Sequence, residues 1–218
     1  MLRAVMMSSW LSRYMQKKSQ IVLIHGGTTF KNQKDYLRYL KTRSVSIEKP
    51  AIWSGEYLDR QLGHTHEIIR PRMPLPENAK YAEWKIHFER LMPLLRSGVV
   101  LIGVSLGGIF LAKYLSENKF SKNIQGVFLV CPPFDGAVKG DSLAGGFTLR
   151  SNLSGLEEST KNLYLLFSED DPVVPVSQAE KYARELKKSH ILIFKSKGGH
   201  FRVPKLPEIV KLIKSLVR

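Results

Sequence analysis

Cysteine is nearly missing. Cys131 stands alone among 218 residues, which excludes an intramolecular disulfide and any zinc finger built on cysteine ligands. A chain without disulfides suits a reducing compartment, so a cytoplasmic location is expected. No run of 18 or more apolar residues occurs, which excludes a membrane-spanning helix and stable membrane insertion. Acidic residues are scarce beside basic ones, 19 against 34, for a formal charge of +15. Such an excess suits nucleic acid, anionic lipid or an acidic substrate. The charge is spread along the chain, however, without a basic and aromatic RNA-binding signature or a helix-turn-helix pattern. A basic solvated surface and no nucleic-acid partner are the expectation. The pattern G-x-G-x-x-G is absent and no P-loop lysine follows the early glycines, so neither a nucleotide nor another cofactor is expected.

What is present is apolar residue enough for one substantial core, 43% of the chain. Residues 21–218 read as a single domain, and nothing in the pattern sets an oligomeric state. Residues 1–20 form a basic extension with Arg3, Arg13, Lys17 and Lys18 and no acid, and with Leu2, Val5, Met6, Trp10 and Tyr14 at helical spacing. Three readings stand for it: a transit-like presequence, an interfacial amphipathic helix, or an extension from an upstream start, since Met7 and Met15 can also initiate.

Strand-like runs alternate with helical patterns. The runs are IVLIH (21–25), VVLIGVS (99–105), GVFLVC (126–131), NLYLLF (162–167) and HILIF (190–194). Between them, 78–96 carries Tyr81, Trp84, Phe88, Leu91 and Leu95 at three- and four-residue steps, with Pro93 set to bend or end the helix. A helix over 177–188 is expected to start on a Ser177 cap, and Pro207 opens a terminal one. This alternation predicts an α/β fold, a doubly wound and mostly parallel central sheet flanked by helices. Residues 41–75 lack a clean period, with one strand expected at HEIIRP. Residues 132–159, rich in Gly, Ser and Asp, read as a small cap or a long loop.

The chemistry gathers at three places. In GVVLIGVSLGG, residues 98–108, a β-branched run ends in Gly103, Ser105 and Gly107. That is G-x-S-x-G, a sharp turn from strand into helix that exposes the serine hydroxyl in strained backbone geometry. The plainer alternative is an ordinary strand-to-helix turn with an N-terminal serine. A serine needs a base, and the base needs an orienting acid. LFSEDDPVVP (166–175) offers a carboxylate after one strand, and KGGHF (197–201) offers His200 on a flexible loop after the next. Ser105, Asp171 and His200 stand in serine, acid, histidine order. Glu169, Asp170 and Asp171 lie in a row. Pro172 restricts Asp171 to extended backbone and so gives its carboxylate a defined direction, while Asp170 is freer to face solvent or bond local amides. For the developing oxyanion, one donor is the N–H of Leu106. The second comes from HGGTT (25–29), from Gly27 or Thr28.

These residues resemble the α/β-hydrolase superfamily, and within it the small serine hydrolases similar to retinoblastoma-binding protein 9 and bacterial YdeN-like proteins. MPLPENAKYAEWKIHF (73–88) carries the finer match, a Met-Pro-x-Pro segment followed by a helix with Trp and Phe. The elbow, the DDPVVP loop and the GGHF loop follow in the family's order, so the likeness covers about residues 20–218. It implies a compact fold, a small cap and metal-free ester or amide hydrolysis, and it favours Asp171 as the acid. The L-x-C-x-E motif associated with retinoblastoma binding is missing, so no such partner is implied.

Other residues take blander readings. His64 and His66 have H-x-H spacing but no matched ligand set, and read as surface or turn histidines. His87 is expected to pack or to face solvent. Trp84 and Phe88 read as core, and Cys131 as a small core residue at a strand end. The expectation is therefore a carboxylesterase-like serine hydrolase acting on a small ester, thioester or amide through an acyl-enzyme. A noncatalytic binding protein on the same fold is the alternative, and a lyase or perhydrolase with the same three residues is a third reading.

Overall fold

The computed structural model describes residues 17–48, 51–136 and 143–216. Six parallel strands form one sheet: β1 (Ser19–Ile24), β2 (His66–Ile69), β3 (Val99–Val104), β4 (Ile124–Val130), β5 (Leu163–Ser168) and β6 (His190–Phe194), in the order β2-β1-β3-β4-β5-β6. All pairings are parallel. The middle strands are continuous apolar runs because both faces are covered, and Ile21, Val22, Ile24, Leu101, Ile102, Val127, Phe128 and Leu165 are fully buried. The edge strands β2 and β6 are only partly so.

Among the described residues seven α-helices flank the sheet: α1 (Gln33–Thr42), α2 (Leu58–Leu62), α3 (Tyr81–Leu91), α4 (Leu106–Glu117), α5 (Ser154–Ser159), α6 (Ser177–Glu185) and α7 (Pro207–Ser215). From β1 the chain steps one way to β2, and from β2 onward it steps the other way. Right-handed crossovers then put α1 and α2 on one face and α3 to α6 on the other, with α7 returning to contact α2. The doubly wound sheet expected from the alternation is therefore present.

Local differences have local causes. β1 begins two residues early, and Lys18 is tied in by its Nζ on Gly63 O (2.5 Å) and by Arg96 donating to its carbonyl (2.7 Å). The remainder of the expected extension, 1–16, lies outside the described residues. α1 was not expected; it buries none of its residues, although Tyr36, Tyr39 and Leu40 stand at helical spacing. Its cap is visible in the sequence, since Asn32 Oδ1 accepts the Asp35 N–H at 2.9 Å. In the 41–75 stretch, Trp53, Tyr57, Leu58 and Leu62 are buried on a π-helical turn (Trp53–Tyr57) running into α2, broken at Gly55 (φ −93, ψ −127). The 78–96 helix begins at Tyr81 and gives way at Met92–Leu94 to a 3-10 turn around Pro93. Ser177 does not cap α6: the cap position is Val176, without a side-chain bond, and Ser177 is already helical. In the 132–159 stretch α5 packs on α4 so closely that a Cβ on Gly155 would lie 2.8 Å from Ser116 O.

Register explains what the sheet is for. Ile24 pairs with Gly103 at the ends of β1 and β3, and Ser168 pairs with Phe194 at the ends of β5 and β6. The loops carrying HGGTT and Ser105 thus leave side by side, as do the loops carrying Asp171 and His200. All four emerge at the carboxyl end of the sheet, where β1 and β3 diverge to opposite faces.

Candidate active site

Ser105 lies between β3 and α4 with φ 53 and ψ −117, a left-handed conformation that costs a non-glycine residue about 1–3 kcal/mol. The glycines around it are sterically required. A Cβ on Gly103 would lie 2.4 Å from Gly107 O, and one on Gly107 only 2.3 Å from Ile24 O. The Ser105 N–H donates to Val130 O at 2.8 Å, which ties the turn to β4. Leu106 is the first residue of α4, so its N–H has no carbonyl one turn earlier within the helix.

The loop after β1 lies against this turn. A Cβ on Gly27 would meet Pro76 O at 2.6 Å and Leu106 Cδ2 at 3.1 Å. The N–H of Thr28 donates to Pro76 O at 2.8 Å, so of the two residues left open by the sequence, Thr28 has its amide occupied, while that of Gly27 meets no acceptor among the described residues. Met73 N–H donates to His25 Nε2 at 3.0 Å, which makes Nε2 an acceptor and places the ring proton on Nδ1. That Nδ1–H donates to Gly26 O at 2.7 Å. The Gly26 carbonyl and the Gly27 N–H belong to one trans peptide and point in opposite directions, so holding one aims the other. His25 is thus a site residue that sequence reading missed, since its partner Met73 is remote in the chain.

The 73–88 segment supports the same loop. Trp84 Nε1–H donates to Pro74 O at 2.8 Å, and the Trp84 ring meets the His25 ring edge-on at 5.7 Å. Trp84 and Phe88 are fully buried. Their place is the core, as the helical spacing predicts.

Asp171 is buried, and its carboxylate is fully engaged. Oδ1 accepts the N–H groups of Val173 (2.8 Å) and Val174 (2.9 Å), and Oδ2 accepts from His200 Nδ1 at 2.8 Å. This fixes the His200 proton on Nδ1 and leaves Nε2 as an acceptor, which the Cys131 thiol meets. Nε2 faces Cys131 Sγ at 3.8 Å, and no hydrogen bond joins Ser105 Oγ to His200 among the described residues. Cys131 is a buried strand-end residue as expected, but with φ 42 and in contact with the histidine. Burial pushes its thiol up, away from thiolate. Asp170 is exposed, as the sequence allows, and its hydrogen-bond partners extend beyond its near neighbours to the loop after β6. The hydroxyl of Ser168 foremost, then that of Ser196 and the amides of Gly199 and Lys197, hold its carboxyl well below the usual carboxylate range.

Ser105 opens on a cavity of about 30 Å³ lined in part by Gly27, Leu106, Pro133, Leu143, Val173 and Val174. The Pro133 wall is held by residues with no motif to announce them. Gln178 Oε1 accepts the N–H of Phe134 (2.7 Å), and Tyr182 Oη donates to Pro133 O (2.9 Å). Ala144 N–H donates to Thr29 Oγ1 at 2.9 Å, which brings the 143–149 segment to the β1 loop. A much larger hollow, about 730 Å³, lies at the far end of β4 and β5 beside Asn123, Gln125 and Lys161 and contains none of these groups.

The histidine pair at 64 and 66 divides. His64 is exposed, whereas His66 is buried, bonded through Nδ1 to Thr65 Oγ1 at 2.8 Å, and lowered in pKa by that burial. Neither joins a metal-ligating cluster among the described residues; Cys131, Asp171 and His200 form the one such group. With Asp171 occupied, that group offers only Sγ and Nε2, fewer donors than the four of a structural zinc site.

No curated protein sequence matches the chain. In fold it is similar to the YdeN protein of Bacillus subtilis, at 19% identity and a TM-score of 0.70, covering 92% of this chain and 99% of that one. A YdeN-like putative hydrolase of Pectobacterium atrosepticum matches at 18% identity and 0.60, over 95% and 93% of the two chains. An esterase of Pyrococcus furiosus matches at 16% identity and 0.56, over 92% and 84%. These likenesses are of fold, and residues 48–211, which hold the turn at Ser105 and both loops beyond it, match the serine hydrolase family. The chain is an α/β-hydrolase-like protein and belongs to the serine hydrolase family.

Proposed function

We propose that this hydrolase cleaves a small ester, thioester or amide of short acyl chain through an acyl-enzyme on Ser105. The observation that carries the reading is the pairing of the half-buried His200 with the buried Asp171 at 2.8 Å, on loops adjacent to a serine held at φ 53. His200 Nε2 takes the Ser105 proton as Oγ attacks the carbonyl carbon, and then gives it to the departing alkoxide, thiolate or amine. Asp171 holds the histidine tautomer and stabilises the imidazolium. The negative oxygen of the tetrahedral intermediate accepts from the amides of Leu106 and Gly27, and the dipole of α4 adds to that field. A water activated by the same histidine then releases the acid. The Oγ to Nε2 hydrogen bond forms as substrate enters and displaces the cysteine contact, a tightening common on passing from a free to an occupied site. A cavity of about 30 Å³ holds roughly one water, which favours acetyl-sized groups.

The test is covalent labelling by a fluorophosphonate together with turnover of p-nitrophenyl acetate. Labelling and turnover that both vanish in Ser105→Ala support the enzyme. A folded wild type that neither labels nor turns over generic esters favours a binding protein on this fold.

A further inference from the structure

The carboxylate of Asp170, next in the chain to the acid that holds His200, collects four donors. Ser168 Oγ and Ser196 Oγ donate to it, and the backbone N–H groups of Lys197 and Gly199 reach it at 3.0 Å each. Three of the four belong to the loop that carries His200. That loop passes through Gly198 (φ 66), Gly199 (φ 72) and Phe201 (φ 51), all left-handed, the kind of backbone whose N–H groups converge on an anion.

We propose that Asp170 is a positioning residue for the general base. Its carboxylate fills a concave nest of backbone amides and fixes where the 196–200 loop sits, so that the His200 ring arrives within reach of Asp171. This rests on the hydrolase reading above and names a further residue in the same site. The need for such a clamp follows from the glycines. Two in succession leave the backbone before His200 with more freedom than any other residue pair would. The loop is anchored on its outer side by Lys197 Nζ on Glu208 (2.6 Å) and beyond the histidine by the buried Phe201. Between these anchors, the Gly199 N–H on Asp170 and the His200 ring on Asp171 tie the loop to the acid turn. The adjacent carboxylates thus have separate roles, Asp171 setting how the ring turns and Asp170 setting where the backbone before it lies. Neighbouring parallel strands make this possible, because β5 and β6 deliver both loops from the same sheet end.

The experiment is a double-mutant cycle of Asp170→Ala and His200→Ala with p-nitrophenyl acetate, with rates expressed per mole of folded protein and measured well below the lowest melting temperature. Asp170→Ala is expected to lower kcat by about 10- to 100-fold with KM changed less than about threefold, the scale of a misplaced catalytic group. In the His200→Ala background it should change the residual rate less than about twofold, because a residue acting through His200 has nothing left to act on. An unchanged kcat, or an equal loss in both backgrounds, overturns the proposal and leaves Asp170 a purely structural residue. Where Asp170→Ala does not fold, the near-isosteric Asp170→Asn replaces it in the same cycle. Hydrogen exchange at the Lys197 and Gly199 amides separates the two readings. Faster exchange in Asp170→Asn supports the clamp even if the wild type neither labels nor turns over, and unchanged exchange refutes it whatever the enzyme does.

Discussion

His200 Nδ1 donates to Asp171 Oδ2 at 2.8 Å across 29 positions of chain. The acid's other oxygen is held by the amides of Val173 and Val174, so the carboxylate cannot swing away from the imidazole without breaking two backbone bonds. Asp171→Asn keeps the shape but presents an amide nitrogen or a weaker acceptor to Nδ1, which lets the ring settle in the wrong tautomer. The rate constant for ester hydrolysis should fall by about 10⁴, as in serine proteases whose triad acid is made an amide. An unchanged melting profile must accompany that loss. A near-normal rate would remove Asp171 from the site.

Ser105 and the two acidic and histidine loops were legible because each is a local statement: a strand end, small residues and a reactive side chain within five or ten positions. The alternation of apolar runs placed the sheet for the same reason. What was not legible depends on contacts between remote segments. Nothing in HGGTT says that Met73 will donate to His25, and nothing in SEDDP says that the amides of Lys197 and Gly199 will converge on Asp170. The contact of Cys131 with His200 Nε2 likewise arises only when β4 ends beside the loop after β6. Helix α1 had a local signal as well, with Tyr36, Tyr39 and Leu40 at helical spacing behind the Asn32 cap, although it buries none of its residues.

Asp170 also sets an acid limit to stability. Its folded-state pKa lies below the unfolded one, chiefly through the Ser168 hydroxyl and then the Ser196 hydroxyl and two amides. A group depressed in this way stabilises the fold fully above the unfolded carboxylate value of about 4, and that contribution is lost as pH falls through the folded value. Asp170→Asn should therefore melt at a lower temperature than wild type at pH 7, and the two melting curves should converge as pH is lowered below 4. A gap that stays constant down to pH 2 would show that the carboxylate charge is not what the loop amides hold.

The site's wall should set acyl length. Leu143 and Val173 line the space beside Ser105, so wild type should hydrolyse p-nitrophenyl acetate faster than the octanoate. Leu143→Ala removes about three methylene-sized groups, and a single methylene in such a pocket shifts preference by about 10- to 200-fold. The ratio of kcat/KM for butyrate to acetate should rise at least tenfold in that variant. An unaltered ratio would mean that the acyl chain leaves the site by another route.

The last expectation concerns His25, which contacts no reacting atom. Its Nδ1–H on Gly26 O holds the peptide whose other end is the Gly27 N–H. In His25→Ala that peptide loses its only side-chain partner in the described structure, and the Met73 N–H loses its acceptor. The Gly27 amide then samples orientations that miss the oxyanion. Outright removal of an oxyanion donor costs about 10²–10³ in kcat; loss of aim should cost less, about 10- to 100-fold, with KM little affected because the ground-state carbonyl leans on this donor less than the tetrahedral oxygen does. His25→Asn tests the same point from the other side. Its shorter amide can still donate toward Gly26 O but cannot also reach Met73 N–H, so it should recover part of the loss. The comparison needs variants of equal labelling capacity, which shows that Ser105 itself is undisturbed. If His25→Ala raises KM and leaves kcat intact, the histidine shapes the binding pocket instead, and the second oxyanion donor must be sought outside the β1 loop.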